Sequence, residues 1–138
     1  MNIMVTGAAG LFGVHMVDKL VKRDDVSKVY GVDNFSRNFF QQDPFIKSPE
    51  FSKKFILIKK NYNEIDTHIL NLLEINTIIH FAAYVSIDES MRSPFEYFEN
   101  NEAANFQFIQ NISINVMSAP AVFLVDHLSQ NMWRKIYT

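Results

Sequence analysis

Short apolar runs alternate with amphipathic stretches along most of the chain. Four runs are rich in Val, Ile, Leu, Met or Phe and are bounded by glycine or polar residues, which is typical of buried strands. These runs predict strands at residues 2–6, 28–32, 55–58 and 77–81. A fifth strand fits either residues 112–117 or residues 121–125.

The segments between these strands have the periodicity of helices. Val14, Val17 and Leu20 share one face of a predicted helix over residues 11–23, and charged side chains occupy the other face. The remaining predicted segments are a long loop with room for a broken helix at 34–52, a short helix at 64–73, and a short amphipathic helix in the tail.

A longer helix is predicted after the fourth strand, over residues 94–110. Pro94 fits its first turn, where a backbone N–H has no intrahelical partner to lose. Four large side chains share one apolar stripe of this helix: Phe95, Phe98, Phe106 and Ile109. Because strands alternate with helices, we expect βαβ units, a parallel sheet and right-handed crossovers, an α/β fold.

Three glycines join the first predicted strand to the first helix, in the stretch MVTGAAGLFGVHMV. Gly7 would make the tight turn, Gly10 would let the backbone approach a pyrophosphate, and Gly13 would let the helix pack close to the sheet. The N–H groups near Leu11 and Phe12 would face the phosphates at the positive end of the helix. The pattern predicts a dinucleotide site in a Rossmann-type doubly wound sheet; a turn with ordinary packing glycines is the alternative.

An acidic residue ends the second predicted strand, about 20 residues after the glycines. Asp33 would accept hydrogen bonds from the adenosine ribose hydroxyls, and its charge would repel a 2′-phosphate, so the predicted cofactor is NAD rather than NADP. A surface aspartate that caps a turn is the alternative. Asn61, after the third strand, fits either a contact with the adenine edge or an ordinary loop asparagine.

Composition narrows the classes of partner. The 138 residues carry 13 Lys and Arg against 15 Asp and Glu, so no basic excess points to nucleic acid and no polybasic block points to a membrane surface. No apolar run reaches the roughly 18 residues of a membrane-spanning helix. The absence of cysteine excludes disulfides and thiolate metal sites, and the histidines lack metal-ligand spacing. We expect a cytoplasmic protein without a metal, a nucleic-acid partner or a membrane anchor.

Two stretches together resemble a known family. The T-G-x-x-G-x-x-G spacing with VDNFS after the second strand, and HFAAYVSIDESMRSPFEYFENN after the fourth, are similar to the extended short-chain dehydrogenases/reductases. The resemblance is to their NAD-dependent nucleotide-sugar epimerases and dehydratases, and it covers roughly residues 1–110. It implies a nucleotide sugar as the small-molecule partner and oxidation of the sugar at C4 as the parent reaction.

The resemblance also implies roles for individual residues. Phe81, Ala82 and Ala83 would line the dinucleotide, and Tyr84 would lie near the nicotinamide ribose. Ser86 would border the sugar pocket. The complete set of expected cofactor-binding residues is Gly7, Gly10, Leu11, Phe12, Gly13, Asp33, Asn34, Asn61, Phe81, Ala82, Ala83 and Tyr84. Asn101 would support the loop after the fourth strand, and His80 is expected to be a structural hydrogen-bonding residue.

The family's catalytic motif has no counterpart in these residues. In the family, a Tyr-x-x-x-Lys pair takes the proton from the sugar hydroxyl, but no tyrosine in this chain is followed by lysine four positions later. The stretch VMSAPAVF would place Ala119 where the family has its catalytic serine. We therefore expect a shortened sheet of about five strands without a C-terminal substrate domain: a dinucleotide-binding domain at residues 1–125, a divergent tail at 126–138, and no catalytic residue.

Three functions follow from these expectations. The first is a truncated epimerase or dehydratase that is inactive alone. The second is a non-catalytic NAD-binding module, and the third is the remnant of a decayed gene. Because 13 phenylalanines would leave apolar surface uncovered in a shortened sheet, we also expect a sticky or homodimeric protein.

Overall fold

The computed structural model describes residues 1–37, 44–45, 48–113 and 121–124. The strands within them are β1 Asn2–Thr6, β2 Lys28–Asp33, β3 Phe55–Lys59, β4 Ile75–His80 and β5 Ala121–Leu124. They form one parallel sheet in the order β3-β2-β1-β4-β5, so the strand order reverses between β1 and β4. Thr6 pairs with both Val32 and His80, so the carboxyl ends of the central strands meet at one edge.

Helices connect the strands and cover both faces of the sheet. They are α1 Leu11–Val21, α2 Pro49–Lys54, α3 Thr67–Leu72, α4 Ile87–Arg92, α5 Pro94–Phe98 and α6 Ala104–Ser113, with a 3₁₀ turn at Tyr62–Glu64 and a π-helical turn at Glu99–Ala103. Helices in the described part of the chain all fall short of the length and hydropathy that a bilayer crossing requires.

Two apolar clusters lie on opposite faces of the sheet, because successive side chains of a strand point to opposite sides. Ile3 and Val5 of β1 belong to the first cluster, with side chains from α1 and α2. Met4 belongs to the second cluster, which includes Tyr62, Phe108 and Ile112. The predicted doubly wound α/β architecture is thus confirmed, and each face of β1 is buried by a different set of helices.

The prediction of one continuous helix over residues 94–110 is wrong. The helical segment is interrupted by the π-helical turn, whose wider winding changes which side chains face the sheet. The predicted stripe is therefore not buried: Phe95, Phe98 and Phe106 are 69%, 57% and 73% exposed. Tyr97, Phe108 and Ile112 are buried instead.

A separate helix, α4, precedes this segment where no helix was expected. The side chain of its N-cap residue Ser86 accepts a hydrogen bond from the Glu89 amide, so the S-x-x-E spacing was an available signal. Ser93 leaves the helical conformation at φ −131°, as residues before proline do, and Pro94 then begins α5 in the first-turn position that the sequence predicts.

Several boundaries also differ from the predictions. The fifth strand forms at Ala121–Leu124, the second of the two alternatives, whereas Ile112 lies in α6. The predicted loop at 34–52, which left room for a broken helix, contains the start of α2, and the predicted helix at 64–73 starts later, after a 3₁₀ turn. The predicted tail helix and the VMSAP part of the serine stretch lie outside the described residues.

Candidate functional site

The glycine turn is closely packed at two of its three glycines. Gly7 has φ +67°, and a Cβ there would lie 2.7 Å from the Ala82 backbone nitrogen. A Cβ on Gly13 would lie 2.1 Å from the Gly7 carbonyl oxygen, so this glycine lets α1 approach the turn itself rather than the sheet. Both positions need glycine for the fold alone.

Gly10 differs from the other two glycines. An added Cβ would meet one atom, the Gly7 carbonyl oxygen at 3.3 Å, and the residue lines an open crevice. Gly10 is also the N-cap of α1, and the first turn of that helix carries no acidic side chain. The positive end of the helix dipole is therefore available to an anion beside a surface without a side chain.

Asp33 joins the glycine turn to the loop after β2. Its Oδ2 accepts a hydrogen bond from the Ala9 amide at 2.9 Å, and its Oδ1 accepts one from the Phe35 amide at 2.8 Å. The carboxylate thus caps a turn, as the alternative prediction had it, and also lines the crevice. Two bonds leave part of its acceptor capacity unused, because a carboxylate has about four lone-pair sites.

Asn34 and Asn61 meet at the ends of β2 and β3. The Asn34 amide nitrogen donates to Asn61 Oδ1 at 2.7 Å, and the Asn61 backbone amide donates to Glu64. Asn61 does not line the main crevice; it lines a neighbouring cavity of about 290 Å³. Asn34 borders both spaces and so connects them.

The loop after β4 forms the opposite lip of the crevice. The Phe81 amide donates to the Thr6 carbonyl, which continues the sheet by one residue. Asn101 then holds the loop from the π-helical turn: its Oδ1 accepts from the Tyr84 amide and its Nδ2 donates to the Tyr84 carbonyl, both at 2.8 Å. Asn101 therefore supports this loop as the sequence predicts.

His80 is buried and structural. Its Nδ1 is hydrogen-bonded to the Thr6 hydroxyl, and its ring stacks on Phe108 with centroids 5.1 Å apart. Burial lowers the pKa of His80 to about 4, so the imidazole is neutral at pH 7. A neutral, enclosed ring holds β1, β4 and α6 together.

The crevice gathers most of the expected cofactor-binding residues, namely Gly7, Gly10, Asp33, Asn34, Phe81, Ala82, Ala83 and Tyr84. Leu11, Phe12 and Gly13 lie outside its lining; the exposed Phe12 ring stacks on Phe81 with centroids 6.4 Å apart. Ser86, expected to border the sugar pocket, is exposed and is occupied locally as the N-cap of α4.

Sequence reasoning missed four lining residues: Val32, Ser36, Tyr62 and Asn100. The Tyr62 hydroxyl donates to the Asn100 carbonyl, and burial, with the charge of Glu102, raises the pKa of Tyr62. Its position directly after Asn61 at a strand end was a usable signal. Arg37 also lines the crevice; from the sequence it fits either a contact with phosphates or an ordinary surface charge.

The arrangement suits binding more clearly than catalysis. A helix N-terminus, a side-chain-free glycine and a carboxylate converge at the point where the strand order reverses, which is where doubly wound sheets bind ligands. Within the described ranges no group of three His, Asp or Glu side chains could hold a metal ion.

The chain is similar to known sugar-nucleotide enzymes. The sequence profile of the family described as GDP-mannose 4,6 dehydratase matches residues 4–125. A trifunctional UDP-glucose 4,6-dehydratase, 3,5-epimerase and reductase of Arabidopsis thaliana is 31% identical over 102 residues, which are 72% of this chain and 15% of that protein. A UDP-glucose 4-epimerase of Streptococcus mutans is 30% identical over 123 residues, 82% of this chain and 32% of that one.

A solved structure has the same fold. The UDP-glucose 4-epimerase of Stenotrophomonas maltophila, determined with bound NAD and formylated UDP-arabinopyranose, aligns with a TM-score of 0.71 and 22% identity. The alignment covers 81% of this chain and 33% of that one. This chain therefore spans about a third of the length of the two epimerases. Because the family profile extends over most of its residues, the chain belongs to the GDP-mannose 4,6-dehydratase family of extended short-chain dehydrogenases/reductases.

Proposed function

We propose that this chain binds NAD in the crevice at the carboxyl ends of β1, β2 and β4. The observation that carries the proposal is the difference among the glycines. Packing alone requires Gly7 and Gly13, whereas a Cβ on Gly10 would meet one atom, the Gly7 carbonyl oxygen at 3.3 Å, and Gly10 lines the crevice. A glycine at this position lets a ligand in the crevice approach the backbone. The NAD bound to the epimerase of Stenotrophomonas maltophila supports the choice of cofactor.

Each lining residue then has a physical role. Gly10 and the first turn of α1 would receive the pyrophosphate, and Asp33 would accept hydrogen bonds from the adenosine ribose. Ala82 and Ala83 are small enough to let the dinucleotide lie across the strand ends. Asn61, beside the second cavity, would contact the adenine, with an amide where the family usually has a carboxylate.

Catalysis by these 138 residues alone is not part of the proposal. Bound NAD supplies a hydride acceptor, but the sugar hydroxyl must also lose a proton to a nearby base. The sequence contains no Tyr-x-x-x-Lys pair, and His80 is enclosed against Thr6 and Phe108. We propose a family member that holds the cofactor of sugar-nucleotide chemistry without turning over a nucleotide sugar by itself.

Isothermal titration with NAD tests the binding. We expect the wild-type chain to bind, and Gly10→Val to abolish binding while the folded state is kept, because the added side chain enters the crevice. Gly13→Ala is the matched control: its Cβ would meet backbone atoms, so it should lose the folded state as well, as circular dichroism would show. Unchanged binding by Gly10→Val would contradict the assignment of the crevice.

A second measurement tests for turnover. The chain is incubated with NAD and UDP-glucose, and the products are resolved by chromatography. Binding without conversion supports a chain that holds NAD without turnover, either as a module or as an epimerase or dehydratase that is inactive alone. Conversion would contradict that proposal, and no binding at millimolar NAD supports a remnant. That the chain is a truncated epimerase or dehydratase stays a prediction.

A further inference from the structure

Arg37 bridges the two lips of the crevice. It extends from the loop after β2, and its guanidinium carbon lies 4.3 Å from the centre of the Tyr84 ring in the loop after β4. The same guanidinium forms an ion pair with Glu89 of α4. Arg37 also lines the crevice, so a positive charge lies beside the space that Asp33 and the glycine turn line as well.

The backbone before Arg37 is folded to bring it there. Phe35 has φ +58°, a left-handed conformation that is unfavourable for a residue with a Cβ. The side chains of Asp33 and Asn34 hold this turn, because each accepts a hydrogen bond from the amide two residues further on, Phe35 and Ser36. Such strain is typical of functional sites, where the surrounding structure maintains it.

The two members of the ion pair are held with different strength. Glu89 also accepts a hydrogen bond from the Tyr97 hydroxyl at 3.1 Å, and the Tyr97 ring packs edge-on against Tyr84. The Arg37 and Glu89 side chains are 44% and 31% exposed. A pair this exposed contributes little to stability. Arg37 can therefore leave while Glu89 stays attached to Tyr97.

The position of Arg37 brings its charge close to the path of a bound dinucleotide. Arg37 lines the crevice together with Gly10, the N-cap of α1. Asn34 borders both the crevice and the neighbouring cavity, so a dinucleotide that extends through both spaces passes Arg37. The pyrophosphate of a dinucleotide carries two negative charges, and its oxygens can accept two parallel hydrogen bonds from a guanidinium. The Glu89 carboxylate carries one charge and is partly exposed, so the pyrophosphate is the stronger partner for Arg37.

The geometry points to an exchangeable clamp: the pyrophosphate of the dinucleotide takes Arg37 from Glu89, so that Glu89 competes with the cofactor for Arg37. The inference rests on the proposed binding of NAD and adds a residue that sets its affinity. Arg37 is then a binding residue with two alternative anions, and Glu89 lowers the affinity of the crevice without touching the ligand.

Calorimetric titration of four variants with NAD tests the clamp. Glu89→Gln keeps an acceptor for Tyr97 but removes the competing charge, so its Kd should fall about twofold to fivefold. Arg37→Gln should raise the Kd about tenfold, because a charge-assisted hydrogen bond to phosphate is lost. In the double variant, the Glu89 substitution should no longer change the Kd. Asp88→Asn, in the same first turn of α4, is the matched control and should bind as wild type.

The outcomes separate this inference from the proposed function. If the wild-type chain does not bind NAD, the proposed function fails and the clamp fails with it. If wild type binds but Glu89→Gln binds equally or more weakly, the clamp alone is overturned, since Glu89 then does not compete. An equal gain in Glu89→Gln and Asp88→Asn also overturns it, because the effect would be general charge rather than competition for Arg37.

Discussion

The first βαβ unit, residues 1–33, and the helical segment after β4, residues 87–113, differ in how their helices place large apolar residues. In the first unit Val17 and Leu20 of α1 pack on the sheet. In the second, Phe95 and Phe106 face solvent while Phe108 is completely buried. An uninterrupted helix keeps its apolar face in register with the sheet; the π-helical turn resets that register in the second segment.

The two regions meet at one buried group of rings. His80 ends β4, is bonded to Thr6 of β1, and stacks on Phe108 of α6. Tyr62 touches both rings edge-on, with centroids 4.8 Å from His80 and 5.6 Å from Phe108. Phe108 therefore fixes the segment after β4 to the sheet, and this attachment does not involve the exposed side chains of the segment.

The largest expected effect comes from removing that attachment. Phe108→Ala should lower the free energy of unfolding by about 3–5 kcal/mol, because a fully buried aromatic side chain leaves a cavity. Phe106→Ala, two residues earlier on the same helix, should change it by less than about 0.5 kcal/mol. Urea unfolding of both variants measures the difference. Equal losses would mean that α6 faces the sheet with another side.

A second effect is a pH dependence carried by His80. Burial lowers the pKa of His80 from 6.5 to about 4 in the folded state. Between these values the unfolded chain binds the proton and the folded chain does not, so stability rises with pH. The contribution of His80 to the free energy of unfolding is about 3 kcal/mol. It is complete above pH 6.5 and is lost as the pH falls towards 4.

The control for this pH dependence is His80→Asn. Its side-chain amide can still bond to Thr6 but does not titrate, so the variant should be less stable at pH 7 and should lack the His80 part of the slope between pH 6.5 and 4. Urea midpoints across that range measure it. A wild-type slope in His80→Asn would assign the acid sensitivity to another group.

The contrast between the regions also explains what could be predicted from the sequence. The strand-glycine-helix signal is local, so the sheet, α1 and most of the crevice lining could be inferred from residues close together in the chain. Gly10 and Asp33 illustrate this, since each lies at the end of a strand whose apolar run is visible.

The remaining features depend on contacts between distant residues. Arg37 reaches Glu89 across 52 positions of sequence, and no periodicity encodes that pairing. The π-helical turn at Glu99–Ala103 is equally hidden, because no periodicity of the sequence indicates the change of winding there. The N-cap bond of Ser86 to the Glu89 amide is local by comparison, and the position of Ser86 at a sugar pocket stays a prediction.

The smallest effect on stability, and the sharpest test of the exposed face, comes from a triple variant. Phe95, Phe98 and Phe106 are each more than half exposed, which predicts self-association through this segment. Replacing all three with serine should leave the free energy of unfolding of the monomer within about 1 kcal/mol of wild type and weaken association about tenfold or more, since each ring removes apolar area from the contact. Sedimentation velocity over a concentration series measures the association.

Leu72→Ser, which alters a 71% exposed side chain on α3, is the matched control. If the triple variant associates as the wild type does, these rings are not the contact.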